Sequence, residues 1–229
     1  MRCYLKRSWV GKSPQNCLPF SFNLGKVGKI THGLSDKPHK SKLYSMELLA
    51  SDIITVLDEL KVEKAHFWGY SMGGHIGFGL TKHYPDRFHS FILGGISPQK
   101  ADEELERKIK KFNQVFKGGA EAYLSHIKNL GVEITTEMKS ETESMDFVAL
   151  DAFWSADIFH DHEDHLHHFE VPILLYVGEE DSWGHYPRAL ECSKTNPKIQ
   201  VVSFPNQGHG VHSQKDLVLP HVIEFLNKF

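Results

Sequence analysis

Apolar residues recur along the chain in two patterns, helical spacing and short continuous runs. Between 46 and 60 they follow helical spacing, which predicts an amphipathic helix. Four short apolar runs predict buried strands at 65–68, 90–96, 171–177 and 198–204. Further helices are predicted at 74–84, 185–194 and 214–228, the last with Leu217 among its inward-facing residues. This alternation of strands and helices predicts an α/β fold with a mostly parallel sheet and right-handed crossovers.

The pattern changes between 101 and 168, where helical segments occur without a convincing strand. Segment 101–117 is rich in charge and precedes a Gly-Gly pair, and segment 120–130 ends at a glycine suited to a helix C-terminus. Segment 141–159 carries several large apolar residues. We expect these three helices to form an insertion over the sheet rather than a part of it.

Composition and charge narrow the range of partners and compartments. The formal net charge is −3, and residues 1–35 contain six Lys or Arg and no Asp or Glu. No long basic patch occurs in the remainder, which argues against nucleic acid as a partner. Three scattered cysteines favour a reducing, cytoplasmic location, and no run approaches the ~20 apolar residues of a membrane helix. An organelle transit peptide at the basic start stays open as an alternative.

A Gly-x-Ser-x-Gly motif stands at the centre of the chain, at 69–73. A short apolar segment leads into it and a predicted helix leaves it, which is the setting of a nucleophile elbow. In such a turn the serine, here Ser71, is held in a strained backbone conformation with its hydroxyl exposed. Because side chains would collide there, we expect Gly69, Gly73 and Gly74 to meet a steric demand.

Two further polar residues follow the ends of later predicted strands. Asp181 comes shortly after strand 171–177, and His209 comes shortly after strand 198–204. Since functional residues of parallel sheets gather at the carboxyl ends of strands, both are expected near Ser71. A base activates a serine hydroxyl only when a third group orients that base. The sequence leaves alternatives open at these two positions, namely Glu179, Glu180 and His212.

Four motifs in a fixed order resemble a known family. They are His32-Gly33-Leu34-Ser35-Asp36, 69–74, Gly178-Glu179-Glu180-Asp181 and Gly208-His209. With them the chain resembles a serine-type α/β-hydrolase, esterase- or lactonase-like, over 31–229. The resemblance implies a core of 31–97 and 169–229 with a helical cap at 98–168.

The same resemblance implies an acyl-enzyme mechanism acting on a small, apolar ester, lactone or related carbonyl substrate. Ser71 would be the nucleophile, His209 the base and Asp181 the orienting acid. The backbone N–H of Met72 would be an oxyanion donor. Tyr70 and Trp154 are expected to contact substrate, although Trp154 also fits packing within the cap. No cofactor is implied, and the oligomeric state is left open.

Residues 1–30 depart from the family pattern. Neither the early strands nor the loop that supplies the second oxyanion donor is found there. We therefore carry an alternative, a catalytically impaired hydrolase-like or ligand-binding protein. The histidine-rich run at 160–168 lacks the spacing of a helical zinc motif, so no metal site is predicted in it.

Overall fold

The computed structural model describes residues 35–98, 103–129, 134–156 and 163–229. The divergent segment 1–30 and the motif residues His32, Gly33 and Leu34 lie outside these ranges. The chain divides into two compact units. One, the sheet unit, spans Met46–Ala101 and Phe159–Phe229; the other, the helical unit, spans Met1–Ser45 and Asp102–Ile158. The domain boundaries expected from the resemblance stay a prediction.

The sheet unit contains four parallel strands whose order in space is their order in the chain. They are β1 (Ala65–Tyr70), β2 (Phe88–Gly94), β3 (Ile173–Gly178) and β4 (Ile199–Phe204). Each neighbouring pair is parallel, so all four carboxyl ends meet at one edge. The predicted α/β class and parallel sheet are confirmed. The helices are α1 (Met46–Glu59), α2 (Met72–His83), α3 (Glu103–Lys117), α4 (Gly119–Asn129), α5 (Thr136–Glu143), α6 (Phe147–Trp154), α7 (Glu163–Leu166), α8 (His185–Thr195) and α9 (Lys215–Leu226).

Alternating residues of the strands pack against different helices. On one face, α2 approaches so closely that a Cβ at Gly77 would lie 2.3 Å from a methyl carbon of Leu93. On the other face, Ile92 and Tyr176 pack with residues of α9, among them Val222 and Phe225. Both faces are therefore covered, which explains the continuous apolar runs of β2 and β3.

Two helix predictions are wrong in detail. The single helix expected at 141–159 is two helices, α5 and α6, because the Asp146 side chain accepts a hydrogen bond from the Ala149 N–H at 3.0 Å and starts α6. Leu217 was expected to face inward but is 43% exposed, since the inward stripe of α9 runs through Val218, Val222 and Phe225.

The helical unit is built around aromatic side chains. The Trp154 ring lies 4.9 Å from Phe112 and 6.0 Å from Phe116, measured between ring centroids. Tyr44 packs edge-on against Phe153. Among the described residues, no helix is long and apolar enough to cross a membrane.

Candidate active site

The turn between β1 and α2 places Ser71 at the carboxyl edge of the sheet. Ser71 has φ 51° and ψ −113°, a conformation that non-glycine residues rarely adopt. Its N–H donates to the Gly94 carbonyl at 2.8 Å, and its own carbonyl accepts from the His75 N–H at 3.1 Å. These two bonds tie the strained residue to the end of β2 and to the first turn of α2.

The glycines of the motif do not all serve the same purpose. A Cβ at Gly69 would lie 2.2 Å from the Gly73 carbonyl oxygen, and one at Gly74 would lie 2.5 Å from a methyl carbon of Ile96. Side chains at these two positions would therefore force the backbone apart. The expectation for Gly73 is wrong, because a Cβ there would meet nothing within 4 Å.

Ser71, His209 and Asp181 form a continuous hydrogen-bonded chain. Ser71 Oγ lies 2.9 Å from His209 Nε2, and His209 Nδ1 lies 2.8 Å from Asp181 Oδ2. In the tautomer with its proton on Nδ1, His209 donates to the carboxylate and accepts from the serine hydroxyl. The three residues come from the carboxyl ends of β1, β3 and β4, as the strand pattern predicted.

The environment of Asp181 keeps it charged and fixed. Its side chain is fully shielded from solvent, whereas that of His209 is 33% exposed. Burial would raise the pKa of Asp181, but the hydrogen bond and charge of His209 and the Trp183 N–H outweigh it, so the pKa lies below its ordinary value. The second carboxylate oxygen accepts from that N–H at 3.0 Å. The carboxylate can therefore orient the imidazole at neutral pH.

The alternatives left open by the sequence have other surroundings than the hydrogen-bonded chain that contains Ser71. Glu179 accepts from the Ser203 hydroxyl at 2.8 Å on the exposed surface, and Glu180 is exposed. His212 lies 2.8 Å, through Nδ1, from the Tyr176 hydroxyl rather than beside Ser71. Of these candidates, Asp181 and His209 are the ones whose side chains are hydrogen-bonded in line with Ser71.

Tyr70 holds the segment that carries His209. Its hydroxyl donates to the His209 backbone carbonyl, and its ring stacks on His212 with centroids 4.6 Å apart. Burial, followed by the nearby charge of Asp181, raises the pKa of Tyr70, so the hydroxyl stays protonated and can donate. The expected contact of Tyr70 with substrate stays a prediction, and the sequence did not reveal this second role.

A partly buried hydrogen bond between Trp68 and Tyr176 lies near the segment that carries His209 and His212. The Trp68 indole N–H donates to the Tyr176 hydroxyl at 3.0 Å, and that hydroxyl lies against His212. A Cβ at Gly94 would lie 2.0 Å from the Tyr176 ring, so the ring crosses β2 where that strand has no side chain. No sequence motif predicts this contact, because it joins a residue of β1 to a residue of β3, with Gly94 of β2 between them.

The remaining predicted residues fall in different places. Met72 is the first residue of α2, directly after the serine. Trp154 belongs to the helical unit, where it contacts the aromatic cluster described above, and its substrate contact stays a prediction. Of the histidine-rich run, 160–162 lie outside the described residues, and His165 Nε2 lies 2.9 Å from the Thr81 hydroxyl.

Sequence reasoning overlooked His185, which lies close to Asp181 and His209. Its Nδ1 is 3.1 Å from the buried Ser97 hydroxyl. One potential ligand atom from each of Asp181, His185 and His209 lies within 4.8 Å of the others. The signal that could have found it is its position, four residues after Asp181 at the start of a helix.

Comparison with known proteins gives the same fold. The family described as "alpha/beta hydrolase fold" matches residues 31–142. The chain is 26% identical over 250 aligned positions to a putative 2-succinyl-6-hydroxy-2,4-cyclohexadiene-1-carboxylate synthase of Bacillus subtilis (strain 168), covering 96% of this chain and 86% of the relative. It is 28% identical to a carboxylesterase of the same organism, covering 75% and 60%. An enol-lactonase from Burkholderia xenovorans LB400 superimposes with a TM-score of 0.70 at 20% identity, covering 87% and 78%.

Proposed function

This chain belongs to the α/β-hydrolase fold family, and we propose that it is a serine hydrolase of small esters or lactones. One observation carries the proposal above all others. Ser71, His209 and Asp181 are joined by hydrogen bonds of 2.9 Å and 2.8 Å, in the order nucleophile, base and acid. This is the arrangement that serine acyl transfer requires.

The first chemical step is attack by the serine oxygen. His209 Nε2 accepts the Ser71 proton as Oγ bonds to the substrate carbonyl carbon. His209 then returns the proton to the leaving alkoxide, which departs and leaves an acyl-enzyme. In the second half, water loses a proton to His209 as its oxygen attacks the acyl carbon. His209 then returns that proton to Ser71 Oγ, which leaves as the acid product is released.

Asp181 acts through His209. The carboxylate holds the Nδ1 proton and stabilises the imidazolium that forms during each attack. Its burial makes that interaction stronger than it would be in water. The Trp183 N–H keeps the carboxylate from rotating, so the imidazole stays aimed at Ser71.

The start of α2 supports stabilisation of the tetrahedral oxyanion. Met72 is the first residue of this 12-residue helix, so its N–H lies at the positive end of the helix dipole, next to the nucleophile. One such donor contributes about 3–4 kcal/mol to transition-state stabilisation in serine hydrolases. The sequence shows no early loop that would supply a second donor, and residues 1–34 lie outside the described residues.

The relatives support the substrate class. One relative is named as a carboxylesterase, and one structurally similar protein is named as an enol-lactonase. Esters and lactones both have a carbonyl carbon that bears an oxygen leaving group. We therefore propose a small ester or lactone as substrate, a cytoplasmic location and no nucleic acid partner.

A second candidate reaction comes from the relative that matches along nearly the whole chain. Its name is that of a synthase rather than a hydrolase, although the designation is putative. With the same triad, His209 would serve as a base without a lasting acyl-enzyme. Accumulation of an acyl-enzyme, seen as a burst or a mass shift, separates the two reactions.

Reaction of Ser71 with an activity probe tests the proposal directly. A fluorophosphonate should label wild-type protein at Ser71, and Ser71→Ala should abolish the label. Short-chain p-nitrophenyl esters should be turned over by wild type well above the Ser71→Ala control. Absence of both label and turnover would favour the impaired, ligand-binding alternative.

A further inference from the structure

A second histidine stands beside the proposed triad and has no part in the serine mechanism. His185 is the first residue of α8 and is only 4% exposed. Its ring centroid lies 6.1 Å from that of His209. One potential ligand atom of His185 lies within 4.8 Å of one from Asp181. Asp181 is thus flanked by two imidazoles.

This group has the donor atoms that a transition metal prefers. One carboxylate oxygen and two imidazole nitrogens suit zinc, which binds such atoms at about 2.0–2.2 Å in a tetrahedron. Ligand atoms at those distances lie about 3.4 Å apart, whereas those of the group lie within 4.8 Å of one another. Metal binding therefore requires these side chains to shift until their ligand atoms reach that spacing.

Two features favour binding over mere proximity. The Asp181 carboxylate is shielded from water, and a carboxylate ligand offsets half of the charge of a divalent ion. The buried Ser97 hydroxyl, 3.1 Å from His185 Nδ1, fixes one of the rings. Outer partners of this kind orient histidine ligands in protein metal sites.

We propose that Asp181, His185 and His209 form a binding site for a divalent transition metal ion, with zinc the best-matched ion, and that its occupation inhibits the enzyme. If zinc binds His209 Nδ1 beside Asp181, the neutral imidazole carries its proton on Nε2 instead. Nε2 then has no lone pair to accept the Ser71 proton. Zinc binding therefore disables the base, and a water or substrate oxygen completes the tetrahedron.

The binding part of this inference stands without the proposed function, whereas the inhibition rests on it. Binding is therefore measured first, by calorimetric titration of zinc into wild type and into Ser71→Ala, and by anomalous diffraction at the zinc edge. Both proteins should bind zinc with the same Kd, and the anomalous peak should lie between the three side chains. Magnesium, which prefers oxygen ligands, should not compete.

Removal of one ligand tests the site. His185→Asn and Asp181→Asn should each raise the zinc Kd at least about 10-fold. The exposed His168→Asn is the control and should leave the Kd at the wild-type value. Since His185 is buried, His185→Gln and thermal melting of each variant verify that a lost affinity is not lost folding.

Inhibition is then followed by ester turnover in zinc buffers, each variant relative to its own metal-free rate. The zinc concentration for half inhibition should rise at least about 10-fold in His185→Asn. An anomalous peak elsewhere, or affinity that depends on His168 and not on His185, would overturn the site. Zinc bound at the site in a protein without esterase turnover would leave the site standing and count against the proposed function.

Discussion

The two units of this protein use polar and aromatic side chains in opposite ways. In the sheet unit, long-range polar contacts converge where β1, β3 and β4 end, and they join residues far apart in the chain, such as Ser71 and His209. In the helical unit the side-chain ion pairs on α3 are local, and one of them, Lys110 with Glu106, is exposed. Its long-range contacts are mainly aromatic, around Trp154.

This difference indicates that the sheet unit positions the reacting groups, whereas the helical unit determines the shape of its own surface. Parallel strands bring their carboxyl ends to one edge, which fixes the relative positions of the atoms between which protons are transferred. Packed helices tolerate exchanges of similar volume, so they can change the outline of a surface without moving a catalytic atom. Substitutions in the sheet unit should therefore affect kcat, and those in the helical unit should affect stability or KM.

The largest expected effect is that of Ser71→Ala. We expect kcat for a p-nitrophenyl ester to fall about 10⁶-fold, because the nucleophile and the acyl-enzyme are both removed. Stopped-flow or long-incubation ester assays measure the loss. Ser193→Ala, which removes a helix serine bonded to the nearby Leu190 carbonyl, is the matched control and should retain activity.

The next effect is that of Asp181→Asn. The geometry is preserved but the amide no longer holds the Nδ1 proton, so we expect kcat to fall about 10⁴-fold with little change in KM. Glu180→Gln alters the exposed neighbour and should remain within a factor of two of wild type, by an estimate of roughly ±0.5 kcal/mol for surface changes. Equal losses in both variants would contradict the choice of Asp181.

Trp154→Ala tests the helical unit. Loss of a half-buried indole from the aromatic cluster should lower the free energy of unfolding by about 2 kcal/mol, below the range for fully buried Trp. Chemical denaturation measures this change. The rate of Ser71 labelling by the fluorophosphonate should stay near that of wild type. A raised KM at unchanged kcat would support the predicted contact of Trp154 with substrate. A large loss of kcat would contradict the expectation that substitutions in the helical unit affect only stability or KM.

The smallest effect expected in the sheet unit is that of Tyr70→Phe. The ring still stacks on His212, but the His209 carbonyl loses its donor, so we expect kcat to fall about 10-fold, equivalent to ~1.4 kcal/mol. KM should be unchanged if Tyr70 only positions His209. Tyr84→Phe, at the far end of α2, is the control; a rise in KM alone for Tyr70→Phe would instead favour substrate contact.

Much of the sheet could be predicted because β2 and β3 are buried on both faces and read as continuous apolar runs. The order Ser71, Asp181, His209 was predictable for the same reason, since each follows a strand. The break between α5 and α6 was missed because no glycine or proline marks it, and the capping bond of Asp146 is visible only in the structure. Leu217 was misplaced because an apolar residue on a helix does not reveal by itself which face is buried.

By itself, the sequence determined the class of fold, predicted the strained turn at Ser71 and reduced the acid and the base of the proposed triad to a few candidates. Only the tertiary structure decided among Asp181, Glu179 and Glu180, showed that Gly73 has open space, and aimed the Tyr70 hydroxyl at the His209 carbonyl. It also brought His185 beside the triad. The physical reason is that a sequence pattern carries local information, whereas the site depends on contacts between distant residues. Periodicity records which way a residue faces within its own element, whereas a contact between side chains depends on where separate strands end and how their connections turn.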